Sequence, residues 1–338
     1  MRRLGLARAL LLALPLAAGA TVFLDRLDEP APPVPDPARA ALTGLCAAGA
    51  RAVAVGPRGL VVRSDDGGAT WSQARVPLAA DLTAIRLGAG GRAIAVGHDG
   101  VVLASEDGGA TWRRALDGRA LARAISDRWP AGGGAAISVA REQGAAAALL
   151  DVALDDDGRG FAVGAFNVVL ATEDGGGTWT PWLDRTENPR GLHLYAVRRV
   201  GADVIVAGEQ GLLLRLDREG RRFLPARAPP GGTLFGLAAH GPVAVAYGLA
   251  GRALRSDDGG RTWAEAPAGV AATLVAGTAL PDGTFVLAAA TGELLASTDA
   301  GRTFRVVARG APAAAIAPAG PGAILIAGAA GLRRVAVP

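Results

Sequence analysis

The sequence predicts an all-β chain: a seven-bladed β-propeller of repeated acidic turns, with a small helical insertion. Three observations carry this expectation. The pattern Ser/Thr-x-Asp-x-Gly-x-Thr-Trp/Phe occurs at Ser64–Trp71, Ser105–Trp112, Thr172–Trp179, Ser256–Trp263 and Ser297–Phe304, and an eroded copy lies at Leu216–Phe223. The closing aromatics Trp71, Trp112, Trp179, Phe223, Trp263 and Phe304 are spaced by 41, 67, 44, 40 and 41 residues. Short apolar runs with turn residues between them fill each interval. A repeat of that length, built from small strands, is the signature of a propeller.

Each copy lies between two strand-like runs and reads as a hairpin loop. Glycine supplies positive φ without a Cβ clash. The carboxylates of Asp66, Asp107, Asp174, Asp258 and Asp299 are placed to accept N–H groups of their own turns. Trp71, Trp112, Trp179, Trp263 and Phe304 open the next strand, where a flat ring can pack between blades. Calcium would need several oxygen ligands converging on one point, and each copy offers a single fixed carboxylate. No metal and no cofactor is expected.

The blades follow in order. The first reads Leu42–Ala47, Ala52–Gly56, Leu60–Arg63 and Trp71–Arg75. The second reads Leu82–Leu87, Ala93–Gly97, Val101–Ala104 and Trp112–Ala115, and the third Leu150–Leu154, Gly160–Gly164, Val168–Ala171 and Trp179–Trp182. The fourth spans Leu192–Leu224, the fifth Leu234–Glu265 and the sixth Leu274–Val307. The seventh begins at Ala313 and has sequence for about three strands. An open blade edge invites aggregation, so residues just before Leu42 are expected to supply the missing outer strand.

The long interval between Trp112 and Trp179 places an insertion at residues 117–148. Leu121, Ile125 and Trp129 fall on one helical face, Pro130–Gly134 interrupts, and the Ala-rich run from Ile137 to Ala148 again suits helix. A helical hairpin between the second and third blades is expected, its apolar stripe packed on the ring. A docking role is the sharper alternative, because insertions in repeat folds gather on one face.

Residues 1–24 read as a signal peptide or N-terminal anchor. Arg2, Arg3 and Arg8 precede an uncharged run from Ala9 to Leu24, and Ala18-Gly19-Ala20 has the form of a cleavage site. Both readings export the body of the chain, to the periplasm or the outer face of the inner membrane. Residues 25–41, with five prolines from Pro30 to Pro37, read as a stiff extended linker that can also close the ring. Residues 42–338 form the propeller.

Composition adds bounds. The 338 residues include 49 Gly and 21 Pro, and all 35 basic residues are Arg. The net charge is only +4, with 31 interspersed acids and no dense basic run, which argues against nucleic-acid binding. One cysteine, Cys46, excludes an intramolecular disulfide framework, and its apolar strand makes a core position the expectation. Tyr195 and Tyr247 are the only tyrosines, and neither has a glutamate beside it in sequence. His98, His193 and His240 form no metal-binding spacing. No enzyme and no small-molecule substrate is expected, and an exported sialidase-like glycoside hydrolase is the alternative. The feature that breaks the symmetry is the eroded copy, where Arg215, Arg218, Arg221, Arg222 and Arg227 crowd together. They are the candidate partner-binding residues, either for an acidic loop or for lipid headgroups.

The eight-residue turn is similar to the Asp-box of bacterial neuraminidase repeats, which in sialidases and sortilin-like receptors is a structural hairpin remote from any active site. Ala54-Val55-Gly56, Ala95-Val96-Gly97 and Ala162-Val163-Gly164 precede the first tight turns. Together with Leu150-Asp151-Val152, Thr178-Trp179-Thr180-Pro181-Trp182 and Gly191-Leu192-His193-Leu194, they give the chain a closer likeness. From Leu42 to Arg334 it resembles the photosystem II stability/assembly factor family, in a bacterial branch. The resemblance implies an exported, non-enzymatic seven-bladed propeller. Its partner would be a protein, part of a membrane complex: a photosystem, or an exporter of the resistance-nodulation-division type.

Overall fold

In the computed structural model, which describes residues 25–132, 134–143 and 146–337, antiparallel sheets follow one another along the chain as the blades of a seven-bladed propeller. Six are four-stranded meanders and the last has three strands. In the second blade, Leu82–Leu87, Ala93–Gly97, Val102–Ser105 and Arg113–Leu116 run from the axis outward. Because neighbouring strands are antiparallel, the eight-residue turns and the first hairpin turns share one end of the ring, the turn face. The middle hairpin turns and the blade connections share the other, the linker face. The predicted segment 1–24 lies outside the described residues. No helix among the described residues is long and apolar enough to cross a membrane.

The turns fold as small hydrogen-bonded cages. In the second blade the Ser105 hydroxyl donates to Asp107 Oδ1 at 2.8 Å and accepts from the Gly109 N–H at 2.9 Å. The Asp107 carboxylate also accepts from the N–H groups of Ala110 and Thr111, both at 2.9 Å, and from the Thr111 hydroxyl at 2.6 Å. Trp112 Nε1 donates back to the Gly109 carbonyl at 3.0 Å. The same closure recurs around Asp66, Asp174, Asp258 and Asp299. Hydrogen bonds this exposed add about 1 kcal/mol each at most. The ring they aim buries roughly 200 Å², an upper estimate of about 5 kcal/mol at 25 cal/mol per Å². The cage thus positions the ring, and the cage bonds and the burial of the ring contribute comparably.

Each inter-blade interface has its own apolar cluster, and six of the seven contain a closing aromatic. Trp112 packs between the first and second blades, Trp179 between the second and third, and Trp263 between the fourth and fifth. Phe223 is fully buried between the third and fourth blades. Phe304 and Trp71 are only partly buried, in the fifth–sixth and seventh–first interfaces.

The insertion forms two helices, α1 (Gly118–Arg128) and α2 (Gly134–Gln143). Asp117 caps α1 by accepting from the Ala120 N–H at 2.9 Å, which satisfies one of the orphan donors of the first turn. Leu121, Ile125, Ile137 and Ala140 are buried in one cluster with Val96, Val102, Val168 and Leu170, so the hairpin is wedged on the interface of the second and third blades.

Two expectations need correction. Among the described residues the seventh sheet has no fourth strand. Residues just before Leu42 reach it through one backbone bond, in which the Leu332 N–H donates to the Ala38 carbonyl at 2.8 Å, and through the packing of Val34 and Ala40. The ring instead closes by packing Leu42 and Leu45 of the first blade on Leu325 and Ala327 of the seventh. Upstream, residues 25–34 are a docked strap and no free spacer. Leu27 is buried beside Val76 and Leu78, and Gln73 clasps Pro32 and Val34 through hydrogen bonds of 2.8 Å each. Arg119 holds Asp25 at 2.6 Å and Asp28 at 2.9 Å. Prolines fix the chain extended, and an extended chain can lie along a blade edge as readily as bridge open space.

Candidate functional site

The innermost strands of all seven blades enclose an axial channel with a cavity of about 330 Å³. Near its centre Asp151, on the third blade, is almost fully buried. Its carboxylate accepts from Arg86 Nη2 of the second blade at 3.1 Å, from Arg198 Nη1 of the fourth blade, and from the Val197 N–H at 2.9 Å. Burial pushes the Asp151 carboxyl up, against the pull of Arg86 and the N–H of Val197. Arg86 is raised despite its own burial, because Asp151 lies beside it. Two guanidiniums and an amide on one carboxylate favour its ionised form against that burial. One positive charge is left in surplus, and the three groups tie three blades together at the axis.

Tyr247 reaches the same channel across the inner strands of the fifth and sixth blades. Gly236 and Gly277 make room for its ring: a Cβ at either would come within 2.1 or 2.4 Å of a ring carbon. Burial and the nearby Asp151 raise its hydroxyl above the ordinary tyrosine value. Cys46 lines the channel half-buried, which corrects the expectation of a core position.

The channel opens on the linker face beside a run of rings. Phe166 lies tilted against His193 at 4.6 Å, His193 lies 6.3 Å from Tyr195, and Tyr195 meets Phe235 edge-on at 5.2 Å. Phe166 is 37% exposed at φ 54°, a conformation that bulky residues avoid unless the surroundings impose it. The middle hairpin turn itself imposes it: the same position has φ 54–56° at Arg58, Asp99, Gln210 and Ala250. Asn167 is buried and exchanges hydrogen bonds with Thr186 at 2.8 and 3.0 Å, and its Oδ1 accepts from Asn188 at 2.9 Å. These are the only two asparagines of the sequence. That scarcity was the available signal, and without the fold nothing paired them.

The structure separates the five arginines of the eroded turn. Arg215 is tied to Asp203 at 3.0 Å, and Arg222 faces Glu187 at 3.3 Å. Arg227 joins the next blade through its backbone, donating to the Arg261 carbonyl at 3.1 Å. Arg218 donates to the Ala202 carbonyl. Arg221 pairs with Glu173 at 2.6 Å and lies over the Trp182 ring at 5.6 Å. Internal acids thus take up much of the charge that the sequence concentrates there. Among the described residues, no group of three or more His, Cys, Asp or Glu side chains is placed to hold a metal ion.

Comparison with known proteins follows this geometry. The chain is similar in fold to a solved structure of YCF48 bound to D1 peptide, with a TM-score of 0.63 and 16% identity over 97% of this chain and 100% of that one. YCF48 from Cyanidioschyzon merolae gives a TM-score of 0.62 and 19% identity over 90% and 97%. The WD40 β-propeller domain of Doa1 gives 0.62 at 11% identity over 91% and 95%, so the superposition by itself speaks for the fold alone. In sequence, the photosystem II assembly lipoprotein Ycf48 of Synechococcus sp. (strain CC9902) is 27% identical over 118 residues, 34% of this chain and 35% of that protein. The match thus spans about a third of that relative's length. The family model of the photosynthesis system II assembly factor YCF48 matches residues 135–312, just over half of the 338, and the chain therefore belongs to that family.

Proposed function

We propose that this propeller is a non-enzymatic, exported protein-binding scaffold that helps assemble a membrane complex. The observation that carries the reading is the relative itself: YCF48, alike in fold over 97% of this chain, has been solved with D1 peptide bound. The aromatic run from Phe166 to Phe235 gives the linker face a rigid, partly exposed apolar edge beside the channel mouth, suited to a protein segment. Export rests on the sequence of residues 1–24 and on the curated relative being a lipoprotein. The partner is a photosystem subunit or an exporter of the resistance-nodulation-division type, and the gene neighbourhood discriminates between them.

The hydrolase alternative has no supporting observation. A sialidase needs guanidiniums free to meet a substrate carboxylate. Of the three that line this channel, Arg86 and Arg198 meet the protein's own Asp151, and Arg199 donates to the Gly201 carbonyl at 3.0 Å. Pull-down from solubilised membranes tests the reading. Retention of a membrane complex without turnover of a fluorogenic sialoside is the expected result. Sialoside cleavage, or no retained complex, overturns it.

A further inference from the structure

The eight-residue turn occurs six times, and its eroded copy leaves open a space that the other five fill. In the intact copies the conserved glycine sits directly on an aliphatic side chain of the preceding blade. A Cβ at Gly68, Gly109, Gly176, Gly260 or Gly301 would fall 2.2–3.0 Å from Leu325, Val53, Ile94, Ile205 or Val245. In the fourth blade the corresponding pair is Gly220 and Phe161. There the atoms nearest a Cβ at Gly220 belong to Asp217 and Arg222, within its own turn. Asp217 pairs with Arg222 across a tighter hairpin, and the shortened turn stands off Phe161.

The result is a groove of about 310 Å³ between the third and fourth blades, on the turn face. Its floor is apolar: Phe161, Trp182 and Leu216, with the Phe161 and Trp182 rings edge-on at 5.3 Å. Arg159, Arg199, Arg218 and Arg221 rim it, against Asp155 and Glu173. Arg221 is spent on Glu173, and Asp155 accepts from the Arg159 N–H at 2.7 Å. Positive charge is therefore in surplus around an apolar floor.

We propose that this groove is a docking site for an acidic peptide segment that inserts one large apolar side chain. The proposal rests on the protein-binding reading above and names the chemistry of the partner. A polyphosphate or nucleic-acid backbone would leave the rings unused and meet two carboxylates at the rim. A neutral apolar ligand would leave the arginines unused. An acidic segment with an aromatic anchor uses both, as buried anchors with charged rims do in protein interfaces. Of the arginines singled out in the sequence, this gives Arg218 the contact.

Fluorescence anisotropy with the full chain tests the proposal, the probe being a short fluorescein-labelled peptide of glutamates around one tryptophan. Arg159→Glu with Arg218→Glu should weaken binding by about tenfold or more, with an unchanged melting curve. Ala153→Phe should fill the groove and block binding, and the peptide with Trp→Ser should not bind. Equal binding by wild type and the arginine reversal overturns the proposal, as does equal binding of the serine peptide or no binding at all. Self-association that the reversal abolishes assigns the groove to a second copy and overturns it too. If wild type retains a membrane complex while the peptide binds nowhere, the groove falls and the scaffold reading stands.

Discussion

Gly68 is seated on Leu325: a Cβ on Gly68 would lie 2.6 Å from Leu325 Cδ2. The first blade's turn thereby caps the second strand of the seventh, and the ring's two ends meet through side-chain packing. Its neighbour Gly67 shares the left-handed region, φ 72° against 89°, but nothing stands within 4 Å of its missing Cβ. The pair separates strain from packing. Gly67→Ala should cost about 1 kcal/mol of backbone strain. Gly68→Ala should cost that plus displacement of Leu325, about 2–4 kcal/mol in all. Urea denaturation of both variants checks this. Equal losses would mean that the turn does not bear on the seventh blade.

That contact shows what the sequence disclosed and what it withheld. Gly68, Asp66 and Trp71 announce a turn by residue type and spacing alone, because a left-handed glycine, an N–H-accepting carboxylate and a strand-opening ring are local requirements. Leu121 and Ile125 announced a buried helical face by the same kind of local period. Leu325 as the seat of Gly68 is not local, since 257 residues separate the two. Asp151 stood in an apolar strand as an anomaly, but only the ring brings Arg86 and Arg198 to it. The strap was misread because proline reports backbone shape and carries no information about what Leu27 packs against.

Acid should weaken the turns in a defined window. Burial acts to raise the carboxyls of Asp174 and Asp258. The N–H and hydroxyl of Thr178, and the hydroxyl and N–H of Thr262, outweigh it and lower both to about 2 from 3.8. A depressed folded pKa gives stability that is fully present above the unfolded value and lost as pH falls through the folded one. Melting temperature should therefore hold above pH 5 and fall between about pH 4 and 2. The double variant Asp174→Asn, Asp258→Asn should melt lower at pH 7 and show a shallower acid slope. An acid slope as steep as that of wild type would place the acid-sensitive groups elsewhere.

The strap should be releasable by one charge. Arg119 of α1 bonds Asp25 and Asp28, and Arg114 donates to the Leu27 carbonyl at 2.8 Å. Arg119→Glu replaces two attractions with two repulsions at an exposed site, where solvent screens both. Thermolysin should then cleave within residues 25–34 faster than in wild type, while the blades stay resistant. Cleavage at the wild-type rate would show that burial of Leu27 alone holds the strap.

The strongest single dependence is expected at Asp151. Removing one partner of a buried ion cluster leaves the others desolvated without compensation, at a cost of about 3–5 kcal/mol. Asp151→Ala leaves Arg86 and Arg198 facing each other in the channel, on blades that the carboxylate had joined. Asp151→Asn keeps the shape and loses the charge, so it should be nearly as damaging. A packing role alone would make Asn mild and Ala severe. Chemical denaturation at neutral pH separates the two accounts. Added anions sharpen the test, because a ligand that binds only the folded state stabilises it in proportion to the logarithm of its concentration. Formate is the size of the missing carboxylate and can sit between the two guanidiniums. It should raise the denaturation midpoint of Asp151→Ala well beyond that of wild type, and chloride at equal ionic strength should do less. If formate and chloride act alike, the arginines do not share a site once Asp151 is gone, and the axial clamp is weaker than its geometry indicates.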